Sequence, residues 1–313
     1  MHAWEAIQKT LEIIENQIGD ELPVDELANA AALSPFYYQR LFSRLVKKPV
    51  KTYIKLRRLS RACEALKDTD SRILDIAVEC GFGSHEVFTR TFKDAYGMTP
   101  TEYRERDVRL NNFLKPDLLL GYTMIDLDVP LVSDGLVLEM ARRTLDASIS
   151  FMGIKGFVSI AGQFPHGKTT GISEPGEIWQ HFNETEHEIP AKTAGRKIGV
   201  AYHDTAPDGC FPYFVGAEIE SGITSDKFQS WTLPAGEYLV CKFEAENFDE
   251  LVSVALNKAF SYMHAWQKKK GLTFGDFGAE IYYDNQNNLN DENVSFAYME
   301  IWALWLEGEN NNG

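Results

Sequence analysis

The first third of the chain carries apolar residues at the spacing of amphipathic helices. Trp4, Ile7, Leu11 and Ile14 recur every three or four positions, which is the period of a helix with one buried face. Leu22, Val24, Leu27 and Ala31 begin a second helix, and serine, threonine or proline marks the start of the five helices that follow, because these residues suit a helix N-terminus. The start signals are Ser34–Pro35, Pro49, Ser71, Ser84 and the Thr99–Glu102 capping box. The pattern predicts an all-α region over residues 1–109.

Beyond residue 135 the apolar residues alternate, as expected for half-buried strands. Two helix-like segments, 175–188 and 248–270, interrupt these runs. The strand-like runs are 138–144, 197–204, 213–220, 237–243, 279–284 and 296–305. The order strand, helix, strand, strand occurs twice and predicts a duplicated α+β unit.

A stretch rich in asparagine, proline and glycine separates the two patterns. At roughly 100–200 residues per domain, 313 residues suit two domains. We therefore predict a multidomain protein with an all-α domain over 1–109, a linker over 110–135 and an α+β domain over 136–308.

Charge is distributed unevenly along the chain. The net charge is −15, yet residues 1–110 hold 17 basic and 17 acidic residues, so the acidic excess lies in the remainder. Within 35–67 there are ten basic residues and one acid, Glu64. A local basic stripe of this kind suits contact with DNA phosphates despite the acidic total.

Two predicted helices have the form of helix-turn-helix recognition helices, which lie in the major groove with one face buried. In 35–47, apolar residues fall on one side and polar residues on the other; 85–96 repeats the arrangement 50 residues later. The helix over 49–67 is a rigid spacer that could place both in successive major grooves, about 34 Å apart.

Residues 5–107 resemble the AraC/XylS-type DNA-binding domain. Its signature is matched by 73–84 (ILDIAVECGFGS), 88–93 (FTRTFK) and 97–104 (GMTPTEYR). The first unit matches through Leu27, Ala28, Ser34 and 38–42 (YQRLF). The resemblance implies two helix-turn-helix units, sequence-specific binding of double-stranded DNA and a role in transcription regulation.

The resemblance also implies which residues meet DNA. Base contacts fall on Phe36, Gln39, Arg40, His85, Glu86 and Arg90. Arg44, Lys47 and Lys93 would lie near phosphates, and Thr89 shares their outward side. Phe36 could instead pack, and Glu86 could be a solvated acid. His85 and Glu86 replace the amides common in the family, so the recognised bases are not implied.

Residues 136–306 resemble the GyrI-like effector-binding domain of bacterial transcription activators. The matching stretches are 178–182 (IWQHF), 213–219 (YFVGAEI), 234–238 (PAGEY), 279–282 (AEIY) and 299–302 (MEIW). In that family a buried glutamate within an aromatic cleft neutralises cationic, lipophilic ligands. Glu280 is the matching position, with Glu218 and Glu300 as alternates. The candidate cleft walls are Trp179, Phe182, Tyr202, Phe214, Tyr238, Trp266, Tyr282 and Trp302.

Other chemistry receives little support. Residues 162–169 (GQFPHGKT) fit a phosphate-loop pattern, but Gly171 and Pro175 argue against the helix such a loop needs. The histidines lack metal-binding spacing, and the cysteines form no C-x-x-C pair. No signal peptide or apolar run of membrane-spanning length occurs. We expect a cytoplasmic protein with no cofactor, no metal and no catalytic residues.

Three hypotheses follow. The first is a transcription factor that binds double-stranded DNA and RNA polymerase and responds to a small amphipathic, cationic effector. In the second, the C-terminal half is a hydrolase that uses Glu280 with Tyr238 or Tyr282. In the third, the acidic half docks RNA polymerase or another protein and binds no ligand. The pattern indicates neither the oligomeric state nor whether the protein activates or represses.

Overall fold

The computed structural model describes residues 2–160, 170–283 and 297–307. Packing groups them into two compact units. The first holds residues 2–119 and 170–173, and the second holds 120–160, 174–283 and 297–307. The predicted domain boundaries stay a prediction, because packing does not test which part folds alone. The phosphate-loop pattern at 162–169 lies outside the described residues.

The first unit is helical, as predicted. Its helices are α1 (Ala3–Asn16), α2 (Val24–Ala30), α3 (Pro35–Val46), α4 (Val50–Asp68), α5 (Ile73–Glu79), α6 (His85–Tyr96) and α7 (Pro100–Glu105). Helices α2 and α3 form the first helix-turn-helix unit, and α5 and α6 form the second.

Helix starts follow the capping signals with one exception. The Ser34 hydroxyl accepts the amide of Tyr37, and the Ser84 hydroxyl accepts that of Val87. Such contacts satisfy amides that have no partner inside the helix. Ser71 is not a cap, so that prediction is wrong: α5 begins after Arg72, and the Ser71 amide instead donates to the Thr69 hydroxyl.

Helix α4 belongs to the cores of both helix-turn-helix units. Tyr53 and Ile54, in its first half, pack in a core with α1, α2 and α3. Leu59 and Cys63, further along, pack in a second core with α5, α6 and α7. One continuous helix therefore connects the two units, as expected for the spacer.

The predicted linker is more structured than its composition suggests. It contains β1 (Leu110–Asn111), α8 (Leu118–Tyr122) and β2 (Pro130–Ser133). Strand β1 pairs with β5 (Gly171–Ile172), a strand from 60 residues further along the chain. Ile172 packs against the second core, and the Ser173 amide donates to the Arg109 carbonyl at 2.8 Å. The first unit is thus completed by a segment that sequence places far from it.

The second unit is mostly sheet. Nine strands lie in the order β2-β3-β9-β12-β11-β6-β7-β4-β8, with antiparallel neighbours. Their bounds are β3 (Leu136–Leu145), β4 (Ile149–Ser159), β6 (Lys192–Tyr202), β7 (Cys210–Ile219), β8 (Gln229–Leu233), β9 (Gly236–Ala245), β11 (Phe277–Tyr283) and β12 (Ala297–Leu304). A two-stranded sheet pairs β10 (Leu272–Thr273) with β13 (Leu306–Glu307).

Helices cover one face of this sheet. Helix α9 (Glu174–Thr185) packs on β4 and β7, and α11 (Leu256–Lys270) packs on β9. Helix α11 continues from α10 (Phe248–Glu250) through a π-helical turn over Leu251–Ala255.

The two faces of the sheet carry separate apolar clusters. We call the side under α9 and α11 the helix face; Tyr213, Tyr282 and Met299 pack there. Ala279 and Ile281 pack in a different cluster, on what we call the opposite face. Successive residues of a strand point to opposite sides, so Glu280 belongs with Tyr282 on the helix face.

Candidate functional site

Nine of the ten predicted DNA-contacting residues are exposed, and they lie on α3, on α6 or, for Lys47, directly after α3. The buried sides of these helices hold Tyr38 and Phe42 in α3, and Phe88 and Phe92 in α6. The exposed predicted residues are Phe36, Gln39, Arg40, Arg44, Lys47, His85, Glu86, Arg90 and Lys93. Each recognition helix therefore has one face for the core and one available to DNA.

Phe36 and Glu86 each had two interpretations. Phe36 is 67 % exposed and meets the exposed Tyr37 ring edge to face at 5.6 Å, so it is not a core residue. Hydrogen bonds from its own backbone amide and from Ser84 lower the pKa of Glu86. Glu86 therefore stays ionised and can accept a hydrogen bond, as contact with a cytosine amino group would require.

Thr89 differs from the other nine predicted residues. Its hydroxyl oxygen is buried and has no hydrogen-bond partner within the described residues. That hydroxyl is not available to DNA here, but Thr89 is partly exposed, and its contact with DNA stays a prediction.

The second candidate site is centred on Glu280 of β11. Glu280 is buried, with 8 % of the residue exposed, and its Oε2 accepts hydrogen bonds from the hydroxyls of Tyr213 (2.9 Å) and Tyr282 (2.8 Å). The indole Nε1 of Trp179 in α9 donates to the Tyr213 oxygen at 3.1 Å. Trp179 also meets the Tyr282 ring edge to face at 4.8 Å, and Phe182 lies beside it at 5.9 Å.

Burial dominates the electrostatics of Glu280. It raises the pKa of the carboxyl from an ordinary 4.5 to about 7, although the Tyr282 and Tyr213 hydrogen bonds act in the opposite direction. Burial and the adjacent Glu280 carboxylate together raise the pKa of Tyr213 well above its ordinary value. Tyr213 therefore remains a hydrogen-bond donor, and Glu280 changes its charge near neutral pH.

Glycine at position 199 makes this arrangement possible. A β-carbon added there would lie 2.3 Å from the Tyr213 hydroxyl oxygen and 2.9 Å from Glu280 Oε2. Both distances are shorter than carbon–oxygen contacts allow, so any side chain at 199 would displace the pair.

We expect Gly199→Ala to destabilise the fold by about 1–3 kcal/mol, because it forces extra volume into a packed site. Urea unfolding followed by circular dichroism measures this. Gly278→Ala is the matched control, since its added carbon meets only Phe260, at 3.7 Å. Equal stabilities of the two variants would contradict this account of Gly199.

Three of the predicted cleft walls, Trp179, Phe182 and Tyr282, lie near Glu280. The others do not. Tyr202, Phe214, Tyr238 and Trp302 pack on the opposite face of the sheet. Trp266 of α11 is buried in the apolar cluster between that helix and the sheet, and its indole donates to the Ile125 carbonyl at 2.9 Å. These five residues are a correction to the predicted set, because strand alternation or core packing keeps them from Glu280.

Tyr213 is a site residue that sequence reasoning missed in favour of its neighbour Phe214. Alternation alone places the two side chains on opposite faces of the sheet but does not say which of them shares a face with Glu280. The register decides: Tyr213 pairs with Ala201 of β6, two residues from Gly199, and so reaches Glu280 on the next strand. Tyr213 lies within the family match at 213–219, which was the one sequence signal that could have identified it.

The alternate glutamates already have partners. Glu218 binds Arg196, with Oε2 at 2.7 Å from Nε. Glu300 accepts the Tyr283 hydroxyl and the Trp302 indole, each at 2.7 Å, and the Tyr298 hydroxyl. Neither Glu300 nor Glu280 makes an ion pair within the described residues, but both oxygens of Glu300 accept hydrogen bonds, whereas those to Glu280 end on Oε2 alone.

A cavity of about 550 Å³ also lies in the second unit. Its lining includes Ile154, Phe157, Glu177 and His181 but not Glu280. Across the described ranges, no three acidic, histidine or cysteine residues are grouped to hold a metal ion, and no helix there could span a membrane.

Two family descriptions match the chain. A family described as "Helix-turn-helix domain" matches residues 27–106. One described as "Integron-associated effector binding protein" matches residues 159–303. The first match covers both recognition helices, and the second includes Trp179, Tyr213 and Glu280.

The relatives align with about a third of this chain. Regulatory protein SoxS of Salmonella typhimurium is 35% identical over 100 residues, which are 32% of this chain and 94% of SoxS. The uncharacterised HTH-type transcriptional regulator YbfP of Bacillus subtilis is 42% identical over 104 residues, 33% of this chain. That alignment spans only 35% of YbfP.

Among solved structures, a transcriptional regulator from Chromobacterium violaceum with an AraC-type DNA-binding domain is 28% identical. It covers 32% of this chain and 90% of its own, with a TM-score of 0.31. The prediction that this protein is a transcriptional regulator is confirmed by its curated relatives. The chain belongs to the AraC-type transcriptional regulators and joins their DNA-binding helix-turn-helix region to an effector-binding region.

Proposed function

We propose that a small lipophilic cation controls this regulator by pairing with Glu280. The observation that carries the proposal is a buried carboxylate among Tyr213, Tyr282 and Trp179 that has no cationic partner within the described residues. Removing a carboxylate from water without a partner is costly, and a bound cation would offset that cost. Aromatic rings facing the cation add about 0.5–2 kcal/mol each.

The two oxygens of Glu280 are used differently. Both tyrosine hydroxyls bond Oε2, and Oε1 makes no hydrogen bond within the described residues. A cation could therefore approach Oε1 without breaking these bonds. Movement of the Trp179 ring, which packs on Tyr282, would open the way.

A ligand changes activity only if it binds two protein states with different affinity. The chain offers a route between ligand and DNA-binding helices. Ile172 packs on the core of the second helix-turn-helix unit, and α9 begins two residues later at Glu174. Helix α9 carries Trp179, which is hydrogen-bonded to Tyr213. We infer that a displacement of α9 on ligand binding pulls on β5.

Other finer assignments are also proposals. The element order β4, α9, β6, β7 and then β9, α11, β11, β12 supports a duplicated strand-helix-strand-strand unit. Two exposed recognition helices joined by α4 support binding to a bipartite site in successive major grooves. The relative AarP of Providencia stuartii is named a transcriptional activator, which supports RNA polymerase as a partner of this chain on DNA.

The test uses the full-length protein and isothermal titration. Tetraphenylphosphonium is the probe, and triphenylphosphine oxide is its neutral counterpart. We expect the cation to bind at least about tenfold more tightly, since only the cation can pair with the carboxylate. We also expect the cation to change the affinity for a duplex selected from a random library. Equal affinities for the two compounds would contradict cation recognition, and no binding of either would favour a protein-docking role.

A further inference from the structure

Arg58 of α4 holds three backbone carbonyls with one guanidinium. Its Nε donates to the Ile18 carbonyl at 2.9 Å, its Nη1 to the Gly81 carbonyl at 2.7 Å and its Nη2 to the Asp20 carbonyl at 2.7 Å. The planar guanidinium can make several such bonds at once in fixed directions, which a lysine ammonium cannot.

The three carbonyls come from two different parts of the DNA-binding region. Ile18 and Asp20 lie in the turn between α1 and α2, next to the first helix-turn-helix unit. Gly81 lies in the turn between α5 and α6 of the second unit. We call Arg58 with these two turns the junction. At the junction, one side chain is bonded to both units.

The two turns also touch directly. A β-carbon added at Gly19 would lie 2.3 Å from the Glu79 carbonyl oxygen, so the backbones meet with no room for a side chain. Gly81 has φ +75°, which favours glycine, and an added β-carbon there would lie 2.7 Å from the Arg58 guanidinium carbon. At the junction, the backbone therefore packs closely at Gly19 and at Gly81, with no space for a side chain at either position.

Neighbouring arginines of α4 do something else. Arg57 forms an ion pair with Glu15 of α1 at 2.8 Å and also bonds the Phe113 carbonyl. Arg61 pairs with Glu64 at 3.3 Å at an exposed position. Of these three arginines, Arg58 is the one that bonds both turns.

We infer that Arg58 is a positioning residue that fixes the separation of the recognition helices α3 and α6. It thereby sets the number of base pairs between the half-sites that the protein accepts. The inference rests on the proposed bipartite reading of DNA. Each inserted base pair moves the second half-site by about 3.4 Å and rotates it by about a tenth of a turn, which a rigid reader does not tolerate.

The experiment measures DNA affinity against half-site spacing. A duplex selected from a random library by the wild-type protein is compared with versions carrying one or two inserted base pairs, and with a single half-site. The variants are Arg58→Lys, which keeps the charge but cannot hold three carbonyls in place, and the control Arg61→Lys. The full chain is used throughout.

For wild-type protein and Arg61→Lys, we expect one insertion to weaken binding about tenfold or more. For Arg58→Lys we expect weaker binding to the unaltered duplex and a further loss of less than about threefold on insertion. Binding to the single half-site should be the same for all three proteins. If Arg58 only supported the fold, Arg58→Lys would lower the affinity for every duplex by the same factor. The insertion penalty, which is the loss of affinity caused by an inserted base pair, would then stay at its wild-type value.

Two results would overturn the inference in distinguishable ways. If Arg58→Lys keeps the wild-type insertion penalty, Arg58 does not set the spacing, although bipartite reading stands. If the wild-type protein itself ignores insertions, bipartite reading fails and the inference fails with it. Should Arg58→Lys not fold, Gly19→Ala opens the same junction with the arginine in place and is expected to lower the insertion penalty in the same way.

Discussion

Replacing Glu280 with glutamine is expected to weaken tetraphenylphosphonium binding about a hundredfold at pH 8. Truncating one side of a buried charge pair costs roughly 2–5 kcal/mol, and 1.4 kcal/mol is a factor of ten. Glutamine keeps the size of the side chain and can still accept a tyrosine hydroxyl, so the change removes charge with little change in shape.

The pH dependence gives this prediction a second signature. With a pKa of about 7, Glu280 is mostly protonated at pH 6 and mostly ionised at pH 8. Wild-type affinity for the cation should therefore rise about tenfold between pH 6 and pH 8. Affinity of Glu280→Gln should not change with pH.

Stability should change in the opposite sense. The pKa of Glu280 is raised from 4.5 to about 7 in the folded protein, which therefore binds more protons than the unfolded chain between these values. The free energy of unfolding is highest, on this account, below pH 4.5 and falls as the pH rises through 7, by about 3 kcal/mol in total. Glu280→Gln lacks this contribution.

Titration calorimetry at pH 6, 7 and 8 measures the affinity, and urea unfolding at pH 5, 6, 7 and 8 measures the stability, most of whose change falls between pH 4.5 and 7. Glu177→Gln is the control, because Glu177 is an exposed carboxylate on α9 that lines the 550 Å³ cavity. If Glu177→Gln lost affinity while Glu280→Gln kept it, the cation would bind in that cavity and the Glu280 site would be refuted.

The double variant Arg40→Ala/Arg90→Ala is expected to lose nearly all site-specific DNA binding. Each arginine that reads a guanine contributes about 1–3 kcal/mol, and each single variant should relax specificity at its own base pairs. The two helices pack in separate cores, so the losses should add. Fluorescence anisotropy with the selected duplex and single-base variants of it measures these changes.

Two further variants distinguish base reading from phosphate contact. Lys93→Ala should weaken binding to all sequences alike and lower the salt slope by about one. Lys9→Ala changes the same charge on α1, outside the recognition helices, and serves as the control. Unchanged site-specific affinity in both single arginine variants would refute the assigned DNA-reading faces.

Much of the DNA-binding region could be predicted from sequence because its determinants are local. Helical spacing located the buried sides of α3 and α6, and capping residues fixed most helix starts. The prediction that Ser71 caps a helix was wrong because a serine is only a possible cap. Its amide instead donates to the Thr69 hydroxyl. At Thr89 the helical wheel indicated an outward position but could not indicate that the hydroxyl oxygen would be buried.

The ligand site was harder because it depends on register between strands. Glu280 and Tyr282 are two residues apart and share a face, which sequence could indicate. Tyr213 joins them from β7, two strands away. No local pattern shows whether Tyr213 or Phe214 faces Glu280. For the same reason Tyr238 and Trp302 were predicted beside Glu280, although they pack on the opposite face of the sheet. The role of Arg58 depends on turns 38 and 23 positions away in sequence.

The pairing of β1 with β5 bears on how this protein can be divided. SoxS aligns over 94% of its length with 100 residues of this chain. Here, however, Gly171 and Ile172 complete the corresponding region from far downstream. A fragment ending at residue 119 would lack these residues, leaving an unpaired strand edge at Leu110 and apolar surface uncovered beside Phe88 and Phe92. Gene fragments meant to yield the DNA-binding part alone should therefore keep residues 171 and 172, or replace the apolar residues that they would leave exposed.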